Sequence, residues 1–210
     1  MTDTFTGDEG PEPAEFTDPP PDPVELARRW LAEAERTGVA EPTAAVLSTV
    51  DADGRPSARV VLVKEVRGNG FVFGTSTEGR KGPGLERPVA LTFHWRERMQ
   101  QLRVGGAVRD LGPEESDALF AARTVESQAA TAAARQSAHL EDEQALLATV
   151  ERMVAEAQET GGGVARPATW HAYLVEPEEI EFWHGRRDRL HRRLQYTHAA
   201  SGWSCRRLQP

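Results

Sequence analysis

A single cysteine, Cys205, in 210 residues excludes an intrachain disulfide and a thiolate zinc site. The chain does not open on a basic stretch followed by an apolar run. It holds no apolar run long enough to span a bilayer, so it reads as a soluble cytoplasmic protein that does not engage a membrane. Cations are missing from the first 27 residues, which carry eight acids and neither Lys nor Arg. The formal charge of −8 therefore belongs to that stretch, and Arg28–Pro210 sums to zero, with 25 bases against 25 acids. A neutral body with local basic concentrations suits a small anionic ligand better than a nucleic-acid duplex. Histidines 184, 191 and 198 are seven residues apart, a spacing that fits no metal-ligand pattern, and no metal site is expected. There is no GxxxxGK[ST] loop, no Ser/His/Asp order, no paired-carboxylate arrangement and no internal repeat.

What is present begins with Met1–Pro21, acidic, rich in Pro, Gly and Thr, and without periodicity. It is expected to be disordered or to order only on contact with a partner, ahead of one domain over 22–210. Asp22 as N-cap, Pro23 at the first helical position and Glu25 in the first turn start a helix whose Val24, Ala27, Trp30, Leu31 and Ala34 share one face. Strands are predicted at Ala44–Val50, Ser57–Lys64, Phe71–Thr75, Val89–Trp95 and Gln100–Leu111, separated by turns such as Asp51–Gly54 and Gly68–Gly70. Consecutive short strands of this kind argue for a mainly β chain with flanking helices, built as a small barrel. A short helix is expected at Pro113–Ala122 and a long one at Leu140–Gln158, with Gln136-Ser137 opening the long segment. Strands at Trp170–Val175 and Glu179–Trp183 and a final pair from Arg192 to Leu208 close the chain.

The densest chemistry lies in Glu181–Arg193, EFWHGRRDRLHRR, where Phe182-Trp183 precedes five arginines, an aspartate and two histidines (one of which lies at 184). Such a cluster fits a solvated basic face, a nucleic-acid patch that also uses Tyr196 and Trp203, or an anionic-ligand pocket with a π-surface beside it. Arg59 and Lys64 flank the strand VVLV, and strand alternation points Arg59 the same way as Val61 and Val63 and Lys64 the other way. Thr75–Lys81, TSTEGRK, sets hydroxyls, a glycine and adjacent cations after a strand, which fits a phosphate cradle or an ordinary charged turn. Amides at Gln100, Gln101 and Gln136, with Ser137, either cap and solvate or reach a ligand.

Together these pieces resemble one family, the FMN-dependent pyridoxamine 5′-phosphate oxidases, which are split β-barrel proteins. The resemblance runs from about residue 19 to the C-terminus and is carried by STVDADGRPSARVVLVK, FVFGTSTEGRK, RQS, IEFWHGRRDRLHRR and a terminal LQP, in that order. It implies a homodimer with FMN at each of two subunit-interface sites. Arg59, Val60 and Lys64 would then lie along the flavin, and Thr75, Arg80 and Lys81 would hold its phosphate and ribityl chain. Gln101 would stand near the flavin ring, and Gln136, Ser137, Trp183 and Arg193 would be delivered by the other subunit. Lys64, Arg123 and Ser127 match residues that grip a substrate phosphate, and Arg189 and His191 match the catalytic pair that lies over the substrate ring.

The departures are informative. A tyrosine usual in the phosphate grip is Leu119 here, the usual Arg-Pro is Arg123-Thr124, the usual Trp-Gly-Gly is Trp170-His171-Ala172, and an aromatic is replaced by Gly74. GVAEP, HWRERMQQ and the closing LQP look like the phenazine-biosynthesis FMN oxidases. Retention of Lys64 and Ser127 points back to the vitamin B6 enzymes. The resemblance implies an oxidase that passes two electrons from a nitrogen heterocycle to FMN and then to dioxygen, giving hydrogen peroxide. The substrate expected is a dihydrophenazine, with pyridoxine or pyridoxamine 5′-phosphate as the alternative. A non-catalytic flavin-binding protein is the reading from another class.

Overall fold

Alternation along short strands dictates the architecture. The structure, a computed structural model, describes residues 6–78 and 82–210. Helix α1, Pro23–Arg36, starts where expected: the Asp22 carboxylate accepts from the backbone N–H of Val24 at 2.9 Å and of Glu25 at 3.1 Å. A cap of this kind contributes about 1 kcal/mol.

Five strands follow, β1 at Ala44–Val50, β2 at Pro56–Arg67, β3 at Gly70–Ser76, β4 at Val89–Trp95 and β5 at Gln100–Asp110. Helices α2 (Gly112–Ala121), α3 (Val125–Ala133) and α4 (Glu143–Thr160) then precede β6 (Trp170–His184), β7 (Arg192–Ala199) and β8 (Gly202–Leu208). The strand order is β3-β2-β1-β4-β5-β6-β7-β8, and β3 also pairs with β6, which closes the first six into a barrel. Every pairing is antiparallel. Leu47, Val63, Phe71, Phe73, Leu91, Phe93, Leu102 and Val104 fill the interior, and Trp30 of α1 meets Phe182 edge-on at 5.0 Å, which seats the helix on the barrel.

Two expectations are corrected. Trp170–Val175 and Glu179–Trp183 are one continuous strand, because a register shift opposite Gly105/Gly106 absorbs Pro177, whose missing N–H breaks a regular ladder. Gly106 permits this approach, since a Cβ there would lie 2.0 Å from the Glu176 carbonyl oxygen. Gln136 and Ser137 do not open the long helix: they lie in the loop after α3, Ser137 has φ 68°, and α4 begins after its cap, Asp142. Before α1, Phe16 is fully buried beside Trp30 and His184. Among the described residues no helix is long and apolar enough to cross a membrane.

Candidate active site

Strand pairing brings distant residues into one row. Gln101 on β5 lies opposite His94 on β4 and Trp183 on β6, and Trp183 lies opposite Arg193 on β7. Directly paired residues share a face, so an amide, an indole and a guanidinium stand side by side. Two residues back along β6, on that same face, is Glu181, only 3% exposed. Its carboxylate accepts from Arg193 Nε at 2.8 Å and Nη2 at 3.1 Å, and from Arg103 Nη2 at 2.8 Å. Arg103 also reaches Glu179 at 2.8 Å, Glu179 takes the Gln195 amide at 2.7 Å, and Gln195 takes Arg206 Nε at 2.7 Å. Arg193 is thus held from below by a buried carboxylate, which raises its pKa.

The turn from β6 to β7 carries the catalytic candidates. Gly185 passes close under Trp183, where a Cβ would lie 2.7 Å from the indole. Arg189 N–H donates to the Arg186 carbonyl at 3.1 Å, and Arg189 itself has φ 64°, a left-handed conformation costly for a residue with a Cβ. Asp188 braces the turn through Leu190 N–H at 2.9 Å and Arg186 Nη2 at 2.8 Å, and the Arg186 guanidinium holds its carboxyl at about 2. His191 packs on Trp183 with ring centroids 4.8 Å apart, and its Nδ1 accepts the Arg186 backbone N–H at 3.0 Å. That bond assigns the proton of the neutral ring to Nε2.

Desolvation first, then Arg189, lowers the His191 pKa below its ordinary 6.5. The neutral ring therefore persists as pH falls past that value. Replacing Arg189 by Leu removes the second cause and should move the His191 titration up toward 6.5. An imidazole NMR titration of both proteins checks this, and a downward movement would contradict the assignment.

Arg59 faces the barrel interior with Val61 and Val63, while Val60, Leu62 and Lys64 are exposed on the other face. Its guanidinium binds Thr49 Oγ1 at 2.9 Å, the Leu47 carbonyl at 3.1 Å and Ser57 Oγ at 2.6 Å, and desolvation lowers its pKa. Lys64 sits where the β2–β3 register shifts between Val63 and Glu65, a bulge of the kind that re-aims a side chain. Thr75, next to last in β3, is buried, and Arg80 and Lys81 lie outside the described residues. Gly74 is explained by packing: a Cβ there would lie 2.2 Å from the Trp170 ring, so the indole occupies the space an aromatic would need.

On the helical side, Leu119 is half-buried on α2. The Arg123 guanidinium lies over Phe120 at 5.2 Å and Trp170 at 5.4 Å, and its Nη2 donates to Thr131 Oγ1 at 2.9 Å. Its Nη1 is buried without a hydrogen-bond partner. Thr124 caps α3, and its hydroxyl donates to Ser127 Oγ at 3.0 Å.

The structure therefore brings Gln101, Trp183, Arg189, His191 and Arg193 together, and gathers Arg123 and Ser127 around the start of α3. Gln136 and Ser137 are exposed in the α3–α4 loop. Sequence reading missed Glu181, although period-two alternation already placed it on the face of Trp183. It also missed Thr49 and Ser57 as partners of Arg59. The donor set fits FMN: a buried hydroxyl and a guanidinium suit a phosphate monoester, and an amide beside an indole suits the edge and face of a flavin ring.

Known proteins resemble this chain over most of its length. Residues 31–156 match the family described as pyridoxamine 5′-phosphate oxidase, and residues 170–210 match the pyridoxine 5′-phosphate oxidase C-terminal dimerisation region, which supports a homodimer. A pyridoxine/pyridoxamine 5′-phosphate oxidase of Rubrobacter xylanophilus is 47% identical over 194 residues, covering 90% of this chain and 88% of its own. The crystal structure of PhzG from Burkholderia lata, in complex with tetrahydrophenazine-1-carboxylic acid, superposes with a TM-score of 0.90 at 36% identity, covering 96% of this chain and 98% of that one. An FMN-binding, pyridoxamine 5′-phosphate oxidase-related protein of Nostoc punctiforme shares the fold, with a TM-score of 0.71 at 13% identity, over 90% of this chain and 98% of its own.

Proposed function

We propose, from the premise that this chain belongs to the pyridoxamine 5′-phosphate oxidase family and is a flavin oxidoreductase with FMN as cofactor, that it oxidises a reduced phenazine carboxylate with dioxygen as final acceptor. Bound FMN supplies the two-electron acceptor. The residues of this chain supply binding and order. Arg59, Lys64 and Thr75, with Arg80 and Lys81, hold the anionic end of the cofactor, while Gln101, Trp183 and Arg193, with Gln136 and Ser137, frame its ring. Arg189 and His191 lie over the substrate ring. A cation there binds the substrate carboxylate and orients the ring for electron loss, and the indole and imidazole exclude water.

The observation that carries the substrate class is the state of the anion grip. Arg123 is already laid on two rings and bound to Thr131, Ser127 accepts from Thr124, and Leu119 adds an apolar wall where the family's phenol would donate. Arg123 Nη1 is buried without an acceptor, and with Leu119 in place of the phenol the grip has one donor fewer, which suits a carboxylate on a large apolar ring better than a phosphate dianion. The likeness to PhzG supports the same reading.

The second reading, oxidation of pyridoxine or pyridoxamine 5′-phosphate, is favoured by the 47% identity to an oxidase of that name. Leu119→Tyr separates the two. A restored phenol should raise kcat/KM for pyridoxine 5′-phosphate by roughly tenfold or more, the value of one hydrogen bond to a charged acceptor, and lower it for tetrahydrophenazine-1-carboxylic acid. An equal change for both substrates would remove Leu119 from the argument.

A further inference from the structure

The eight acids of the first 27 residues have no part in the site as described so far. Two of them contact the turn that carries Arg189 and His191. Glu12 Oε2 accepts from Arg192 Nε at 2.9 Å and from Arg186 Nη1 at 3.3 Å, so one carboxylate joins the two flanks of the turn. Glu9 adds two bonds: its carboxylate accepts the Arg187 backbone N–H at 3.1 Å, and its carbonyl accepts His184 Nε2 at 2.7 Å. The segment is itself anchored at both ends. Asp8 N–H donates to the Glu97 carbonyl at 2.8 Å, Phe16 is fully buried, and Tyr196 Oη donates to the Pro20 carbonyl at 2.8 Å.

We propose that this acidic segment buttresses the Gly185–Arg192 turn, and that Glu12 is a positioning residue for Arg189 and His191. The physical need is visible in the turn. It places Arg186, Arg187, Arg189 and Arg192 within seven residues, with Asp188 as their only internal anion, and holds Arg189 at φ 64°. Like charges so close favour an open turn, and a left-handed Arg favours relaxation. Glu12 places a second anion between Arg186 and Arg192, and Glu9 fixes the backbone at Arg187. The acidic charge of the N-terminal stretch thereby complements the surplus of the turn.

The inference rests on the reading that Arg189 and His191 lie over the substrate. Hydrogen exchange at residues 186–191 and steady-state kinetics, measured on FMN-loaded Glu12→Gln and on the charge swap E12R/R192E, test it. Glu12→Gln should speed exchange at the Arg187 and Arg189 amides. It should lower kcat/KM for tetrahydrophenazine-1-carboxylic acid, or for pyridoxine 5′-phosphate if that is the compound oxidised, about fivefold, the value of one partly exposed ion pair, with the loss in kcat as for Arg189 itself. The FMN dissociation constant should stay within about twofold, and the swap should bring exchange and kcat/KM most of the way back. Exchange unchanged in Glu12→Gln overturns the buttress. Faster exchange with kcat/KM unchanged overturns the positioning role, while Arg189→Leu decides separately whether Arg189 faces the substrate.

Discussion

Replacing Arg189 by leucine is expected to cut turnover by on the order of a hundredfold while leaving the FMN dissociation constant within about twofold. The reason is position. Arg189 stands on an exposed turn between Asp188 and Leu190, near His191, which packs on Trp183, and outside the paired row Gln101–Trp183–Arg193 proposed to frame the cofactor ring. A cation placed there orients the substrate for electron loss, so its removal appears in kcat and kcat/KM together. Anaerobic reduction of the bound flavin, followed by its absorbance, isolates that step. A parallel loss of turnover and FMN affinity would put Arg189 on the cofactor instead.

Glu181→Ala has the largest expected effect on stability. It strips the shared carboxylate from Arg193 and Arg103 and leaves two guanidiniums facing each other across β6. Removing one member of a buried pair typically costs 3–5 kcal/mol, and about 3 applies here because both arginines keep some contact with water. For a chain of this size that lowers Tm by roughly 6–12 °C. FMN affinity should fall about tenfold as Arg193 loses its fixed geometry. Calorimetry and fluorescence titration read the two effects separately. A lower Tm with unchanged FMN affinity would make Glu181 purely structural and would question Arg193 as a cofactor contact.

Local chemistry explains what could be read from the chain. Asp22-Pro23 starts α1 by capping and fixed φ, and Ala45, Leu47 and Thr49 alternate inward along β1, so both elements lie where their residues say. Helix α3 escaped notice because its one strong signal, the Thr124 cap, leads into VESQAATAA, where only Gln128 and Ala129 are buried and no apolar stripe forms. The packing of Phe16 was hidden for a different reason. A lone Phe16 in a Pro-rich acidic stretch gives no periodicity, and its burial depends on Trp30 and His184, which are distant in sequence.

The site divides the same way. Trp183, Arg189, His191 and Arg193 stand within eleven residues and were found by density and by resemblance. Their setting comes from pairing across strands and from the N-terminal segment: Arg103 under Glu181, Glu12 under Arg186 and Arg192, Trp170 over Gly74. No local pattern encodes such contacts.

Oxygen consumption by the FMN-loaded protein with tetrahydrophenazine-1-carboxylic acid and with pyridoxine 5′-phosphate, compared as kcat/KM, tests the central claim most directly. The account predicts a preference of at least about tenfold for the tricyclic carboxylate, the value of one lost charge-assisted hydrogen bond at Leu119. A preference for pyridoxine 5′-phosphate, with pyridoxal 5′-phosphate as product, would contradict it and return the anion grip to a phosphate.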